Sequence, residues 1–250
     1  MSTPQAVAVA GVTGGAGTTR LAVETAAVLA RAGRDVAVFD AAFGTQGLAQ
    51  YVPGRVDVDA TALLADDAVA PSDGFVDLPV DADGRVAACP ARAPFAALAA
   101  AKTPAAAERF ADVLRESASA FDHVIVDTPP VADNPSVAAV AAADRTALVA
   151  PATQRGADAL PRLRDRLADV DAATGGDLVV ANQAPDAHPV DADVDVPASD
   201  ATAVADAPVC DGTATGAFPA AVRDLAEVAF TVDLDLDLEP TGVVARFRDV

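Results

Sequence analysis

Apolar and polar positions along the chain follow two alternating patterns: short valine-rich runs, and longer stretches in which apolar residues recur every three or four positions. The short runs predict buried β-strands, and the longer stretches predict amphipathic helices. Because strands and helices take turns, the pattern predicts the α/β class: a doubly wound, mostly parallel sheet with helices on both faces, in three layers. The predicted strands cover residues 6–11, 35–40, 75–78, 85–89, 121–127, 146–150, 178–181 and 194–196, and the predicted helices cover residues 21–32, 61–66, 104–119, 136–143, 157–173 and 218–230.

Glycines and a change of period mark the predicted boundaries. Gly33 and the pair Gly175-Gly176 predict the ends of two helices, since glycine commonly follows the last helical residue. Residues 186–216 are rich in Asp and Ala and predict a loop around the short eighth strand. From Thr231 the chain runs Thr-Val-Asp-Leu-Asp-Leu-Asp-Leu-Glu, a period of two that predicts an edge strand or an appended hairpin. We therefore expect one domain over residues 1–230 and a C-terminal tail over residues 231–250.

The segment from Gly11 to Arg20 connects the first predicted strand to the first predicted helix and runs Gly-Val-Thr-Gly-Gly-Ala-Gly-Thr-Thr-Arg. Glycines let the backbone approach a phosphate closely, and a helix N-terminus directs unpaired N–H groups at an anion. Strand, glycine loop and helix in this order predict a phosphate-binding loop, and hence a P-loop NTPase-like fold. The candidate nucleotide-binding residues of the loop are Gly14, Gly15, Ala16, Gly17, Thr18 and Thr19.

Two aspartates are the candidate metal ligands beside this loop. Asp40 ends the second predicted strand, and Asp127 ends the strand that carries Val124–Val126. In a doubly wound sheet, ligands bind outside the carboxyl ends of the strands, so both carboxylates are expected to converge on the loop. With the hydroxyl of Thr19 they form a set of oxygen donors suited to Mg²⁺.

The composition narrows the classes of partner. The chain has 17 Lys and Arg against 37 Asp and Glu, a net charge of −20, and Lys102 is its only lysine. Such an acidic surface resembles that of proteins from salt-loving archaea, because molar salt shortens the Debye length to about 3 Å and screens self-repulsion. Without a basic cluster, direct binding to nucleic acid or to anionic membrane is not expected. The longest apolar run, residues 135–143, is too short to span a membrane, and the N-terminus shows no signal-peptide pattern, so we expect a cytoplasmic protein.

These motifs resemble those of the MinD/ParA family of deviant P-loop ATPases. The family loop, Lys-Gly-Gly-x-Gly-Lys-Thr-Thr/Ser, aligns without a gap on the residues from Thr13 to Arg20. Residues 122–130 resemble the family's Asp-Tyr-Val-Ile-Ile-Asp-Thr-Pro-Pro segment, and residues 35–48 its second strand and first switch. The resemblance extends over about the first 230 residues.

The resemblance implies a nucleotide switch. Members of the family bind ATP or ADP with Mg²⁺, act as homodimers or with protein partners, and position division sites, chromosomes, plasmids or surface complexes. Asn182 falls where the family often has an asparagine that contacts adenine.

The departures from the family pattern concern catalysis. The lysine that reaches the partner subunit's nucleotide is replaced by Thr13, and the lysine that holds the terminal phosphates is replaced by Thr18. Of the family's Asp-x-Asp in the first switch, Asp40 fills the first place and Ala42 the second. Since phosphoryl transfer depends on positioning and charge neutralisation, hydrolysis is expected to be weak or absent, slower by about 10³-fold or more. No catalytic residue is assigned, and whether the chain is an enzyme stays open.

Two arginines are candidates to replace the loop lysine. Positions 18 and 20 of a helix point about 200° apart, so we do not expect Arg20 to take the place of a lysine at Thr18. Arg155 is more distant, and nothing local in the sequence directs it to the loop.

Two other functions use the same residues. Gly11, Gly14 and Gly17 also match a looser Gly-x-x-Gly-x-x-Gly pattern of NAD(P)-binding Rossmann proteins, in which Asp40 would bind the ribose hydroxyls. Alternatively, the chain is a pseudo-ATPase scaffold that keeps the fold and binds protein partners without nucleotide turnover.

Overall fold

The structure, a computed structural model, describes residues 5–170, 172 and 177–238. The strands are β1 (Ala6–Gly11), β2 (Asp35–Asp40), β3 (Val76–Asp77), β4 (Arg85–Cys89), β5 (His123–Thr128), β6 (Arg145–Pro151), β7 (Asp177–Asn182) and β8 (Val194–Val196). The helices are α1 (Thr18–Arg31), α2 (Ala60–Ala65), α3 (Phe95–Ala100), α4 (Pro104–Ala120), α5 (Asn134–Ala142), α6 (Gln154–Asp169) and α7 (Ala217–Phe230).

The strands of the described residues form one sheet in the order β3-β4-β2-β5-β1-β6-β7-β8. β3 pairs antiparallel with β4, and the other recorded strand pairs are parallel. This arrangement confirms the predicted α/β class with a mostly parallel sheet.

Alternate residues of each central strand face opposite layers of helices. Val7 and Val9 belong to the apolar cluster formed with α1 and α7, whereas Ala8 and Ala10 belong to the cluster formed with α5 and α6. A third cluster packs α2 and α4 on the β2–β4 side of the sheet. Since both faces are covered, the strands are near-continuous apolar runs, which is the pattern that predicted them.

The helix over Pro104–Ala120 begins where it was predicted, whereas the other predicted helices begin one to three residues before their predicted starts. α6 begins at Gln154, after the Thr153 hydroxyl accepts a hydrogen bond from the N–H of Gly156 at 3.3 Å. α3 was not predicted; its six residues, Phe-Ala-Ala-Leu-Ala-Ala, are all apolar, so no alternation with polar residues indicates a helix. Of the predicted helix stops, Gly33 follows α1 as expected, while Gly175-Gly176 lies outside the described residues.

The described part of the tail is not a strand, which corrects the prediction for residues 231–238. Leu234 is 6 % exposed and Leu238 is fully buried, while the intervening aspartates face solvent. The period of two therefore predicted which residues are buried but not the hydrogen bonding. Asp235 has a φ of 46°, which interrupts an extended backbone, and the segment packs on the cluster formed by α1 and α7 instead of joining the sheet. The remainder of the predicted edge strand or hairpin, residues 239–250, lies outside the described residues.

Among the described residues, none of the helices combines the length and the apolar character needed to cross a membrane.

Candidate functional site

The glycine loop connects the carboxyl end of β1 to the N-terminus of α1. Val12 ties it to the sheet through a 3.0 Å bond from its N–H to the carbonyl of Val149 in β6. Gly17, with a φ of 89°, is the residue that precedes α1, and no side chain of the described residues caps the helix there. The first N–H groups of α1 are therefore open to an anion, together with the positive end of the helix dipole.

Asn182, the last residue of β7, is hydrogen-bonded to the backbone of this loop. Its Nδ2 donates to the carbonyl of Ala16 at 2.8 Å, and its Oδ1 accepts from the N–H of Gln183 at 2.9 Å. A Cβ on Gly17 would lie 2.3 Å from the same Nδ2, so glycine is required there by space as well as by φ. The adenine contact suggested for Asn182 stays a prediction; the structure shows a residue that fixes the loop.

Asp127 links the carboxyl end of β5 to the start of α1. Its Oδ2 accepts a 2.6 Å hydrogen bond from the hydroxyl of Thr19, and its Oδ1 is buried without a hydrogen-bond partner among the described residues. Because Thr19 donates its proton to Asp127, the lone pairs of its oxygen stay available to a cation. Thr19 and Asp127 are two of the three residues that the sequence predicted as metal ligands, with Asp40, and that role stays a prediction.

Asp40 lies directly beside Asp127, since the two are register partners of β2 and β5. Both are fully buried. The carboxylate of Asp40 is held by backbone groups: Oδ1 accepts from the N–H of Ala42 at 2.8 Å, and Oδ2 from the N–H of Ala91 at 3.3 Å. Neighbouring strands are about 4.8 Å apart, so these are two carboxylates in close apposition inside the protein.

Burial raises the pKa of both carboxyl groups toward neutrality, and for Asp40 the neighbouring charge adds to this effect. Burial, and then the charge of Asp127, raises the pKa of Asp40 to about 8. Burial raises the pKa of Asp127 to about 6, against the opposing effect of the Thr19 hydrogen bond. A carboxylate pair that holds a proton so readily is a site where a divalent cation would replace that proton.

The chemistry of these donors fits Mg²⁺ held jointly with a phosphate. No group of three or more His, Cys, Asp or Glu residues within the described ranges could bind a metal alone. Mg²⁺ usually keeps several waters and takes one or two carboxylates plus phosphate oxygens, and Thr19, Asp40 and Asp127 supply that number of protein oxygens. The unpartnered Oδ1 of Asp127 is the atom that such an ion or its water would satisfy.

The loop borders an open cleft of about 370 Å³. The sequence-predicted residues Gly14 to Thr19 line it, and so do Thr13 and Ala42, the positions at which the family has a lysine and an aspartate. Thr45 and Gly47, from the predicted first switch over residues 35–48, also line the cleft, and so do Gln50, Tyr51 and Val204, which the sequence did not point to. Gly47 approaches Thr19 closely: a Cβ there would lie 2.9 Å from the Thr19 hydroxyl. No motif covers Gln50, Tyr51 or Val204, which lie in or next to short 3-10 helices after β2 and β8.

Arg20 also lines the cleft, and the expectation that it does not take the place of a lysine at Thr18 stays a prediction. The helical angle fixes the direction of the Cβ, and the guanidinium lies beside Glu24, one turn toward the C-terminus of α1. Arg155 belongs to a neighbouring cleft of about 470 Å³, which shares Thr13 and Pro130 with the loop.

The strand order argues against the NAD-binding alternative. In the dinucleotide-binding fold the acidic residue that holds the ribose ends the strand next to the loop strand. Here β5 lies between β1 and β2, so Asp40 is two strands away from the loop strand, and its carboxylate is directed at backbone N–H groups.

Comparison with known proteins places this geometry in a recognised fold. No family model and no curated protein matches the chain. Among solved structures, it is similar to a ParA family ATPase from Chlorobium tepidum, with 17 % identity over 89 % of this chain and 98 % of that one, and a TM-score of 0.71.

Two further similar structures contain a bound nucleotide. The septum site-determining protein MinD from Pyrococcus horikoshii, complexed with Mg-ADP, shares 15 % identity over 77 % of this chain and 81 % of that one, with a TM-score of 0.66. Cobyrinic acid a,c-diamide synthase from Mycobacterium smegmatis, with a bound ATP analogue and magnesium, shares 16 % identity over 89 % of this chain and 92 % of that one, with a TM-score of 0.68. The fold is thus MinD/ParA-like, as the sequence motifs indicated.

Proposed function

We propose that the chain is a MinD/ParA-like switch that binds ATP or ADP with Mg²⁺ in the loop cleft. The observation that carries this proposal is the bond between Thr19 and Asp127 beside an uncapped helix N-terminus, with Asp40 next to it in the sheet. The resemblance of the loop motif and the Mg-ADP of the similar MinD structure support the choice of ligand.

Each residue of the site has one task in this proposal. Backbone N–H groups from Gly14 to Thr19 hold phosphate oxygens, as helix N-termini do. Thr19 and Asp127 orient the Mg²⁺ ion and its bound waters. Hydrogen bonds from the backbone hold the carboxylate of Asp40 beside them. When bound, the ion neutralises phosphate charge.

Hydrolysis is proposed to be weak. The cleft has Thr18 and Ala42 where the resembling family has a lysine and a water-orienting aspartate. A methyl group cannot orient an attacking water, and a neutral hydroxyl cannot neutralise the transferring phosphoryl group. The protein would therefore respond mainly to which nucleotide is bound and exchange slowly between states.

The readout is proposed to be a change in association, with the chain itself or with a protein partner, that positions a cellular structure. Candidate structures are a division site, a chromosome or plasmid, or a surface complex, since ParA and MinD name proteins of the same fold. With a net charge of −20, the chain would reach DNA or membrane through a partner rather than directly.

The test compares two aspartates at opposite ends of one strand. Asp127→Ala removes the bond to Thr19, whereas Asp122→Ala, just before β5, removes a remote carboxylate that accepts from the N–H of Asp35. ATP and ADP affinities in molar KCl with Mg²⁺ should fall at least tenfold in Asp127→Ala and stay within about twofold in Asp122→Ala. Light scattering with ATP and with ADP reports the association state.

The outcomes separate the candidate functions. Binding that depends on Asp127, with different association in ATP and ADP, supports the switch. Failure of the parent protein to bind either nucleotide contradicts it and favours the pseudo-ATPase scaffold.

A further inference from the structure

A buried ion pair fixes one side of the Arg20 guanidinium. Arg20 Nε donates to Glu24 Oε1 at 2.6 Å across one turn of α1, and the Glu24 side chain is fully buried. Glu24 is itself held in place, because its Oε2 accepts from the N–H groups of Val209 and Cys210, both at 2.9 Å. The guanidinium group of Arg20 is therefore held in one orientation.

The other side of the same guanidinium lacks a partner. Arg20 Nη2 is buried and makes no hydrogen bond within the described residues. A buried, charged N–H without an acceptor costs stability, so such a group indicates that an acceptor is missing. The residue also lines the loop cleft, and of the described residues that line it, Arg20 is the only charged one.

We propose that Arg20 is the phosphate-binding cation of this cleft. Its free edge contacts a phosphate oxygen of the bound nucleotide, while the opposite edge stays on Glu24, which acts as a positioning residue. An arginine can bind the phosphate and the Glu24 carboxylate at the same time, because its planar guanidinium carries five donors in fixed directions. The inference rests on the proposed function and adds to it the source of positive charge that a loop with Thr13 and Thr18 lacks.

The charge balance makes this cation important. The protein has a net charge of −20, and a bound nucleoside diphosphate adds further negative charge beside Asp40 and Asp127. A cation within the cleft offsets part of this repulsion, and because it is mostly shielded from solvent, with 18 % of its side chain exposed, salt screens it incompletely.

The experiment measures ADP affinity with Mg²⁺ in molar KCl for the parent protein, Arg20→Gln and the control Arg31→Gln. Arg31 lies on the same helix and donates to the carbonyl of Ala214, so its substitution removes the same charge and a similar contact about 16 Å farther along α1. We expect Arg20→Gln to lose roughly tenfold to a hundredfold in affinity, as for a hydrogen bond to a charged group. Arg31→Gln should stay within about twofold.

Inorganic pyrophosphate, as a competitor of ADP, locates the contact. If Arg20 binds phosphate, Arg20→Gln weakens pyrophosphate as well; unchanged pyrophosphate affinity overturns the assignment. The double variant that combines Arg20→Gln with Glu24→Gln tests whether Glu24 acts only by positioning Arg20. If it does, the double variant should lose no more ADP affinity than Arg20→Gln alone. An additive loss contradicts that role.

Failure of this proposal is distinct from failure of the proposed function. A parent protein that binds no ADP overturns both, whereas a parent that binds and an Arg20→Gln variant that binds equally well overturns only the role of Arg20. If thermal unfolding shows that Arg20→Gln does not fold, Arg20→Lys replaces it. A lysine keeps the ion pair but has one nitrogen, so affinity equal to that of the parent overturns the proposal.

Discussion

Three glycines of the loop differ in what an added methyl group would meet, and this gives a graded test of the loop geometry. At Gly17, alanine must adopt a φ of 89° and place its Cβ 2.3 Å from Asn182 Nδ2. The left-handed backbone costs about 1–2 kcal/mol. Displacing Asn182 from the Ala16 carbonyl costs about 1 kcal/mol more. The lower entropy of the unfolded chain returns about 0.4–1 kcal/mol. We expect Gly17→Ala to lower the free energy of unfolding by about 2 kcal/mol.

The other two positions separate these contributions. Gly15 has a φ of 77° but nothing within 4 Å of an added Cβ, so only the backbone cost applies and Gly15→Ala should lose about 1 kcal/mol or less. Gly14 has neither a left-handed φ nor a neighbour within 4 Å, so Gly14→Ala should be neutral or slightly stabilising.

Urea unfolding of the ligand-free protein in molar KCl measures the series. If Gly17→Ala costs no more than Gly15→Ala, the contact with Asn182 is refuted. The double variant Gly17→Ala with Asn182→Ala should cost less than the sum of the single changes by about 1 kcal/mol. Strict additivity would refute the same contact independently.

Three further predictions concern the switch, the carboxylate pair and the tail. Thr18→Lys with Ala42→Asp should raise the rate of ATP hydrolysis above that of the parent; an unchanged rate in a phosphate-release assay contradicts the alignment of those positions. Because the folded pKa values of Asp40 and Asp127 lie above the unfolded value of 3.8, the folded chain binds more protons. The contribution of these two groups to the free energy of unfolding of the ligand-free protein should thus be fully present below about pH 4 and be lost as pH rises toward 8. The parent should therefore lose more stability over this range than Asp127→Asn, as measured by urea unfolding at a series of pH values. Leu234→Ala should lose about 2–3 kcal/mol by urea unfolding if the tail packs on the core, and a negligible loss contradicts that packing.

The central part of the fold was predictable because its elements are buried on both sides. β1, β2 and β4 have the bounds that their apolar runs indicated, and the loop between β1 and α1 follows from its glycines. Thr19, Asp40 and Asp127 converge as predicted, since the carboxyl ends of parallel strands share one edge of the sheet.

The features that the sequence did not predict depend on tertiary contacts. The direction of Arg20 is set by Glu24 and by backbone groups almost two hundred residues away in the chain, which no helical angle can reveal. The tail has the period of a strand, yet a φ of 46° at Asp235 and the adjacent helices decide its conformation. Asn182 was predicted to bind nucleotide because it aligns with an asparagine of the resembling family. Its hydrogen bond to the carbonyl of Ala16 depends on the fold and has no signal in the sequence.

The most direct test of the central claim is a calorimetric titration of ATP into the parent protein in molar KCl, with Mg²⁺ and again with a chelator. The account predicts saturable binding that weakens at least tenfold without Mg²⁺ and is not displaced by NADH. Binding of NADH in place of ATP, or binding of neither, would contradict a Mg²⁺-dependent nucleotide site formed by Thr19, Asp40 and Asp127.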